Sequence, residues 1–247
     1  MQRLCRTTHS RPQIELAPLW TLTTLDPGGL SVPMKTLVPG AWETIPALHN
    51  YRGRAVYEQK IVCKGNIRFV FGGVSFWAKV YLDDVLLAEH YNAFTAFEAI
   101  ARHVPFGEHT LRVEVDNRFD EDSALHVPND YYSYGGITRP VTAEQLGDAY
   151  VRQLHVTPIH KDNGWQARVE MSVASLADQS LTCGVQVEVA EALASVSGVE
   201  VAPNGETVVA QVIDCPGVTA DTFSSRCSNH SPSATLCGGS QGTGQPR

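Results

Sequence analysis

Strict alternation of apolar and polar residues is the feature that most constrains the fold of this chain. In residues 110–116, Leu111, Val113 and Val115 alternate with charged or polar side chains. This period of two is typical of a strand with one buried face. Residues 66–71 repeat the pattern, and no long segment has the period of a helix. Many short strands separated by turn residues predict an all-β chain built from β-sandwiches.

The same pattern divides the chain into three regions. Patterned runs over 14–147 predict a first sandwich, and residues 165–173 and 181–189 belong to a second region over 148–215. The second region is shorter than the about 100 residues of an immunoglobulin-like sandwich. We therefore expect a partial sandwich there. Residues 216–247 are rich in Ser, Gly, Thr, Pro and Gln, a composition that predicts a disordered tail.

Charge and hydropathy exclude several classes of partner. The net charge is -7, and the sequence has no basic run of the kind that nucleic acid requires. No apolar stretch reaches the roughly 20 residues that span a bilayer, and the first ten residues do not resemble a secretory signal. We expect a cytoplasmic chain that binds neither nucleic acid nor membranes.

Metal and cofactor chemistry has little support in the sequence. The six cysteines contain no Cys-x-x-Cys pair, and the nine histidines are scattered, without the spacing of a zinc site. One oxygen-rich cluster fits either Ca²⁺ or, more simply, a solvated acidic loop, because its spacing matches no calcium loop. We therefore predict no metal site and no cofactor. The cluster consists of Asp116, Asn117, Asp120, Glu121 and Asp122.

The stretch from Asp130 to Val141 is the candidate functional segment. It contains three tyrosines, a glycine pair and an Arg-Pro step beside the carboxylate of Asp130. Aromatic rings stack on the apolar face of a pyranose, and a carboxylate accepts hydrogen bonds from its hydroxyls. The alternative is a tyrosine-rich loop that packs over the edge of a sandwich, with Asp130 capping a turn and Arg139 tying the loop to the sheet.

Several short motifs, taken together, resemble glycoside hydrolase family two, the family of β-galactosidases and β-glucuronidases. Their order and spacing carry the resemblance, since each motif alone is common. The motifs are VPGAWE at 38–43, YRGRAVY at 51–57, FGGVSFWAKVYLDD at 71–84, EH at 89–90, FTAFE at 94–98, VDNR at 115–118 and YGGITRPV at 134–141.

The resemblance implies a galactose-binding-like jelly roll that binds sugar, then an immunoglobulin-like domain, then a catalytic (β/α)8 barrel. It implies that Asp130 is a substrate-binding residue, which reaches from the jelly roll to the sugar in the active site of a complete enzyme. The partner is then a β-glycoside. At Asp83-Asp84 the chain departs from the Asn-Gly that is usual in the family.

The catalytic part of the family has no counterpart in the sequence. A (β/α)8 barrel takes about 250 residues, and only 247 − 147 = 100 residues follow the first region. No asparagine is followed by Glu, whereas the family's acid/base glutamate follows an Asn. We therefore expect no catalytic residues, and a chain truncated before the barrel and inactive alone.

Three functions stay open at this point. The chain is part of a family-two glycosidase, a stand-alone carbohydrate-binding module, or a structural β-sandwich protein without a sugar ligand. An incomplete second sandwich would also expose Val185, Val187, Val189, Val208 and Val212, and an open strand edge of this kind promotes self-association.

Overall fold

The computed structural model describes residues 13–119, 133–162, 164–189 and 192–215, together with the backbone of 233–237. These residues form fourteen β-strands and two single-turn 3₁₀ helices, and no α-helix occurs among them. The chain divides into two compact units, of which the first ends at Gln145 and the second begins at Leu146. This division lies two residues before the predicted end of the first region at residue 147.

The first unit is built from eight strands and the two 3₁₀ helices. The helices are Trp42–Thr44 and Pro46–Leu48. The strands are β1 (Gln13–Ile14), β2 (Leu19–Thr24), β3 (Met34–Leu37), β4 (Arg54–Phe71), β5 (Trp77–Leu82), β6 (Val85–Tyr91), β7 (Phe97–Asp116) and β8 (Val141–Leu146).

Two long antiparallel strands, β4 and β7, organise this unit. They pair from Arg54 opposite Asp116 to Phe71 opposite Phe97. Each of the two strands has further neighbours. The start of β4 pairs with β2, and the end of β7 pairs with β5. Strand β8 pairs with β4 along the edge of β4 that faces away from β7. The strands are therefore shared by two sheet segments, with one hydrophobic core formed by residues of both.

The long strands change register near their middle. The pairing shifts on both sides of Gly65, which has a φ of 74°, and His103 on β7 has a φ of 51°. A positive φ is accessible to glycine at little cost, and irregularities of this kind bend a strand and increase its twist. The bend brings the two halves of the sheet together as a sandwich.

The alternation in the sequence predicts the core correctly. Leu111, Val113 and Val115 are buried on β7, and the alternate residues of β5 are buried as well. Asp83 and Asp84 form the turn that joins β5 to β6. Asp83 has a φ of 53°, a conformation that Asp tolerates better than most residues.

The second unit contains five further strands with described side chains and one described by its backbone. The strands are β9 (Ala149–Lys161), β10 (Gly164–Ser175), β11 (Leu181–Val189), β12 (Ala192–Val201), β13 (Glu206–Cys215) and β14 (Ser233–Cys237). They form two three-stranded sheets, in the orders β13-β10-β9 and β12-β11-β14.

The second sandwich is better covered than the sequence predicted. Val185, Val187 and Val189 are buried, so the expected exposure of these three residues is wrong. Strand β12 was missed because its small residues, Ala and Ser, give a weak apolar alternation, and this strand pairs with β11. Val208 and Val212 are exposed, as expected. However, they alternate along β13 with residues that face the core, so their exposure reflects the face on which they lie.

Strand β14 lies within the segment that composition predicted to be disordered. Its backbone pairs with β11 from Gly184 opposite Cys237 to Glu188 opposite Ser233. Strand pairing of this kind is made by backbone hydrogen bonds, which composition does not report. The other residues of 216–247 lie outside the described part of the chain.

The fold class is therefore confirmed as all-β, with a jelly-roll sandwich followed by an immunoglobulin-like one. Across the described residues, helices of the length and apolarity needed to cross a membrane are absent.

We predict that the second unit is cooperatively folded. Strands β10 and β11 each have a neighbour on both sides, and their apolar residues are buried, so their amides should exchange slowly with solvent. Hydrogen exchange of the full chain should show stronger protection in β10 and β11 than in the edge strands β12 and β13. Rapid exchange throughout β11 would contradict the closed sandwich.

We also predict that His109 titrates above an ordinary histidine. Its Nδ1 lies 2.8 Å from Asp83 Oδ2 and its Nε2 lies 2.9 Å from the Pro105 carbonyl oxygen, so only the protonated ring donates to both acceptors. The Asp83 hydrogen bond is the main cause of the raised pKa of His109. A raised folded-state pKa gives stability that is fully present below the unfolded-state pKa of about 6.5 and is lost as pH rises through the folded-state pKa.

NMR titration of the His109 ring protons measures this pKa. Asp83→Asn should lower the pKa of His109, because it removes the carboxylate that favours the protonated ring. In the natural chain the Thr110 N–H donates to Asp83 Oδ1 at 2.8 Å, and the amide oxygen of Asn can still accept this bond. Asp84→Asn in the same turn is the matched control and should leave the pKa of His109 nearly unchanged. Equal shifts in both variants would show that the His109–Asp83 contact does not set the pKa.

Candidate functional site

The candidate segment is described from Ser133 onward. Asp130, Tyr131 and Tyr132 lie outside the described residues, so the structure does not place the predicted substrate-binding carboxylate. It does place the two stretches that flank 120–132. We call these stretches, residues 116–119 and 133–139, the loop anchor.

A buried carboxylate holds the second stretch of the loop anchor. Glu43, only 6% exposed, follows Trp42 in the first 3₁₀ helix, and the Gly135 N–H donates to its Oε1 at 2.9 Å and its Oε2 at 3.0 Å. The Trp42 N–H donates to the Gly135 carbonyl at 3.1 Å, and the Gly40 N–H donates to the Ile137 carbonyl at 2.8 Å. Residues of the VPGAWE motif therefore hold the YGGITRPV motif in place by hydrogen bonds.

The glycine pair is required by close packing. A Cβ on Gly135 would overlap the indole of Trp42 and the side-chain amide of Asn117. Gly136 has a φ of 108°, and a Cβ there would come within 2.6 Å of the Tyr57 hydroxyl. Glycine is needed at both positions, because the backbone approaches neighbouring groups too closely for a side chain.

One arginine connects the two stretches of the loop anchor. The Arg52 guanidinium donates from Nη1 to the Ser133 carbonyl oxygen. Its Cζ also lies 4.9 Å from the centre of the Phe119 ring, within the range of a cation–π contact. Beside it, the Gly53 N–H donates to Asn117 Oδ1 at 3.0 Å. The segment 120–132 thus leaves and re-enters the described fold at one site.

The other side of the loop anchor is fixed by the residues that directly follow β4. The Ser75 N–H donates to the Gly136 carbonyl at 2.9 Å, and the Thr138 N–H donates to the Gly73 carbonyl at 3.2 Å. Arg139 donates from Nη1 to the Phe94 carbonyl at 3.0 Å. This bond joins the loop anchor to the turn between β6 and β7, which supports a structural role for Arg139.

Burial perturbs the two ionisable groups beneath the loop anchor. Desolvation raises the pKa of the Glu43 carboxyl, and the Gly135 N–H and the charge of Arg52 partly oppose this rise. Burial also raises the pKa of the Tyr57 hydroxyl, and the nearby Glu43 carboxylate raises it further. Perturbed pKa values often mark functional sites, but structural ionisable groups show them too. Here Glu43 faces backbone, which favours a structural role.

The buried carboxylates described elsewhere in the first unit also have structural partners. Arg68 donates from Nε to Glu144 and lies 3.7 Å from Glu98 across a longer ion pair. Cleavage of a glycoside requires two carboxyl groups that face a substrate. Glu98 and Glu144 instead neutralise a buried arginine.

The residues with metal-binding potential are separated in the described part of the chain. Within it, no group of three His, Cys, Asp or Glu side chains is placed to hold a metal ion. Of the predicted oxygen-rich cluster, Asp116 is paired with Arg118 at 2.7 Å, and Asn117 is bonded to Gly53. Asp120, Glu121 and Asp122 lie outside the described residues.

Sequence reasoning missed Glu43 and Arg52 as determinants of this site. Both lie in motifs that the resemblance quoted, but nothing near them in sequence indicates a partner about 80 or 90 positions away. A carboxylate directly after a tryptophan in a Pro-Gly turn was the available signal for Glu43. Trp42 itself is buried in the first core.

Comparison with known proteins now gives the arrangement a class. A solved structure of a family-two β-galacturonidase from Eisenbergiella tayi, bound to galacturonate, matches with a TM-score of 0.80 and 37% identity, covering 88% of this chain and 39% of that chain. No family-wide sequence profile matches.

Two curated proteins also match in sequence. One is named as a β-glucuronidase of Formosa agariphila, 22% identical over 173 residues, which are 66% of this chain and 21% of that protein. The other is a β-galactosidase of Thermoanaerobacter pseudethanolicus, 31% identical over 110 residues, which are 42% of this chain and 13% of that protein. The chain therefore spans a minor part of each relative.

Fold, motifs and matches together define a region of two β-sandwiches. Over 88% of its length the chain is similar to the N-terminal β-sandwich region of glycoside hydrolase family two, and its two units match the jelly-roll and immunoglobulin-like sandwiches that the resemblance implies.

We predict opposite effects for two substitutions of Glu43. Glu43→Ala leaves the buried Gly135 N–H without an acceptor and should destabilise the first unit by about 1–3 kcal/mol. Glu43→Gln keeps an acceptor and removes a desolvated charge. Because the folded-state pKa of Glu43 is raised, its ionisation costs stability as pH rises from about 4.5 through the folded-state pKa. The stability of Glu43→Gln relative to the natural chain should therefore improve over that window.

Hydrogen exchange of first-unit amides at increasing urea, at pH 4 and pH 7, measures both effects. Glu188→Gln, on β11 in the second unit, is the matched control for loss of a glutamate charge. If Glu43→Gln loses stability relative to the natural chain as pH rises, the ionised carboxylate stabilises the fold and the assignment is wrong.

Proposed function

We propose that this chain is the non-catalytic, substrate-positioning region of a glycoside hydrolase that cleaves β-linked uronides, with β-galacturonides as the first candidate. The observation that carries the proposal is the 37% identity to the Eisenbergiella tayi β-galacturonidase over nearly the whole chain. The named activities of the curated relatives, on glucuronides and galactosides, support the wider class of β-glycosides.

The role of the chain follows from the loop anchor. Arg52, Glu43 and the glycine pair fix both ends of the segment 120–132 on a rigid sandwich. Fixing the ends of a segment lowers the entropy that is lost when a group on it is oriented toward a substrate, and orientation of this kind assists catalysis. We propose that Asp130, in that segment, accepts hydrogen bonds from the hydroxyls of the substrate sugar in the complete enzyme.

Bond cleavage is not assigned to this chain. A retaining glycosidase needs two carboxyl groups about 5–5.5 Å apart across the glycosidic bond. The buried glutamates described here, Glu43 and Glu144, are bonded to backbone or to arginine. The contribution that we assign to the chain is orientation of the sugar.

A second candidate function is sugar binding without chemistry. It is favoured by one observation that is independent of the loop anchor: Trp77 and Tyr91 form an exposed aromatic pair on the outer face of the first sheet. A purely structural role would leave this pair and the loop anchor without a ligand.

A chimeric enzyme tests the proposal. Residues 13–215 of this chain would replace the matching region of the Eisenbergiella tayi β-galacturonidase, and hydrolysis of 4-nitrophenyl β-D-galacturonide would be measured. We expect a folded chimera to retain hydrolysis, and Asp130→Ala to lower its kcat/KM by about ten- to a hundredfold, the effect of losing a hydrogen bond to a charged group.

Asp178→Ala, which changes an exposed aspartate in the second unit, is the matched control and should not lower kcat/KM. A folded chimera without hydrolysis would contradict the proposed function. A chimera whose activity is insensitive to Asp130→Ala would contradict the role of Asp130 alone.

A further inference from the structure

A row of four side chains crosses the outer face of the first sheet. The strand register places Tyr91 on β6 opposite Trp77 on β5, Trp77 opposite Asp116 on β7, and Asp116 opposite Arg54 on β4. Neighbouring strands lie about 4.8 Å apart, so the row is about 14 Å long. Ala78, next to Trp77, faces the core, and the row therefore faces outward.

One end of the row is an exposed aromatic surface. Trp77 is 39% exposed and Tyr91 is 42% exposed, although both are large rings. Their ring centres lie 5.6 Å apart with an interplanar angle of 69°, an edge-to-face arrangement. Each ring restricts the other, so the surface is rigid before a ligand arrives. A flat, rigid and half-exposed indole suits the apolar face of a pyranose.

The other end of the row is polar and equally well fixed. Arg118 donates to Asp116 from Nε at 3.0 Å and from Nη2 at 2.7 Å. Arg54 donates to Asp26 from Nε at 3.1 Å and from Nη2 at 2.8 Å. A carboxylate has about four lone-pair positions and a guanidinium has five N–H donors. Asp116 also accepts from the Arg118 backbone N–H at 2.9 Å, so its acceptor positions are occupied and it is held in place. Arg54 bonds through only Nε and Nη2 of its side chain, so it keeps N–H donors for hydroxyls.

The row lies in a groove of about 470 Å³, a size typical of small-molecule sites. Its three cations each have a carboxylate partner: Asp26 for Arg54, Asp116 for Arg118, and Glu89 for Lys79 at 3.3 Å. Because the cations are neutralised, the groove has no excess charge to select an anion. It offers N–H donors without net charge, which match a ring that carries several hydroxyls.

We propose that this groove, lined by Tyr91, Trp77, Asp116 and Arg54, binds a pyranose segment of an oligosaccharide. The apolar face of one ring stacks on Trp77, and hydroxyls of that ring or its neighbour accept from Arg54, while Asp116 and Arg118 form the rigid polar floor between them. The proposal takes its ligand class, a glycan, from the proposed function. Its residues are distinct from Asp130, and its ligand is recognised by hydroxyls and not by a uronate carboxylate.

The simpler explanation is that the aromatic pair only stabilises the β5–β6 hairpin. Cross-strand aromatic pairs do stabilise sheets. However, this explanation does not account for the ion-paired Asp116 and Arg54 that continue the same row, or for the groove above them. The two explanations predict different results in a binding experiment.

The experiment is a titration of the full chain with neutral β-galactotetraose and with tetragalacturonate, followed by the NMR signal of the Trp77 indole N–H and by calorimetry. We expect the neutral sugar to bind and to shift the Trp77 signal, with little change in affinity between 0.05 and 0.5 M salt, since no net charge is involved. Trp77→Ala should lower the affinity by at least about tenfold, and Trp77→Phe should retain most of it.

Phe106→Ala is the matched control, because Phe106 is 78% exposed on the same strand as Asp116 and lies ten positions away. It should bind as the natural chain does. Circular dichroism establishes that each variant is folded, and Trp77→Phe keeps the test valid if Trp77→Ala unfolds. Failure of the neutral sugar to shift the Trp77 signal overturns the proposal. So does binding of tetragalacturonate alone that is abolished by salt, which would show a charged surface.

This test is separate from that of the proposed function. Loss of hydrolysis in the chimera with intact binding of β-galactotetraose would leave the groove as the site of a carbohydrate-binding module. Hydrolysis by the chimera without such binding would reject the groove and leave the proposed function intact.

Discussion

The pairing of β4 with β7 is the interaction on which the rest of the first unit depends. The two strands pair along nearly their whole length and belong to both halves of the sandwich. Their bend near Gly65 and His103 decides where the sheet folds over. Every other strand of the unit either pairs with one of them or pairs with a strand that does. A long central pair of this kind gives a rigid frame, and the loop anchor is built at one end of it.

Polar contacts in the interior define how smaller elements attach to that frame. Arg68 lies between Ile67 and Phe69, which face the core, so it points to the opposite face of β4, yet it is buried beside Glu144 of β8. A buried ion pair adds little net stability compared with apolar residues, but removing one partner costs about 3–5 kcal/mol. The pair therefore favours one position of β8 against β4. Glu43 does the same for Gly135, since a misplaced loop would leave a buried carboxylate without its N–H donor.

The sequence predicts what repeats locally and misses what depends on distant partners. The strands around Phe69, Val80 and Val113 follow from period-two alternation, and the hairpin turn at Asp83 follows from its residue types. The docking of Glu43 on Gly135 does not, because it joins residues 92 positions apart. Strand β12 was missed for a different reason: small side chains carry little hydrophobic signal, although Ala192 and Ala194 pack, partly buried, against the second core. The family motifs indicated where these elements lie, but not their contacts.

The alternation of side-chain direction at the start of β4 and the end of β7 links the groove to the loop anchor. Asp116 and Arg54 face outward into the groove, whereas Gly53, the chain neighbour of Arg54, bonds to Asn117 of the loop anchor. Successive residues of a strand point to opposite faces, so one pair of strand ends serves both features. A displacement of this end would therefore move the groove and the loop anchor together. A glycan bound along the row would have one sugar next to Arg54. That sugar would lie at the strand ends after which the segment containing Asp130 follows in the sequence. The frame would thus align a bound oligosaccharide with the segment proposed to orient the substrate sugar.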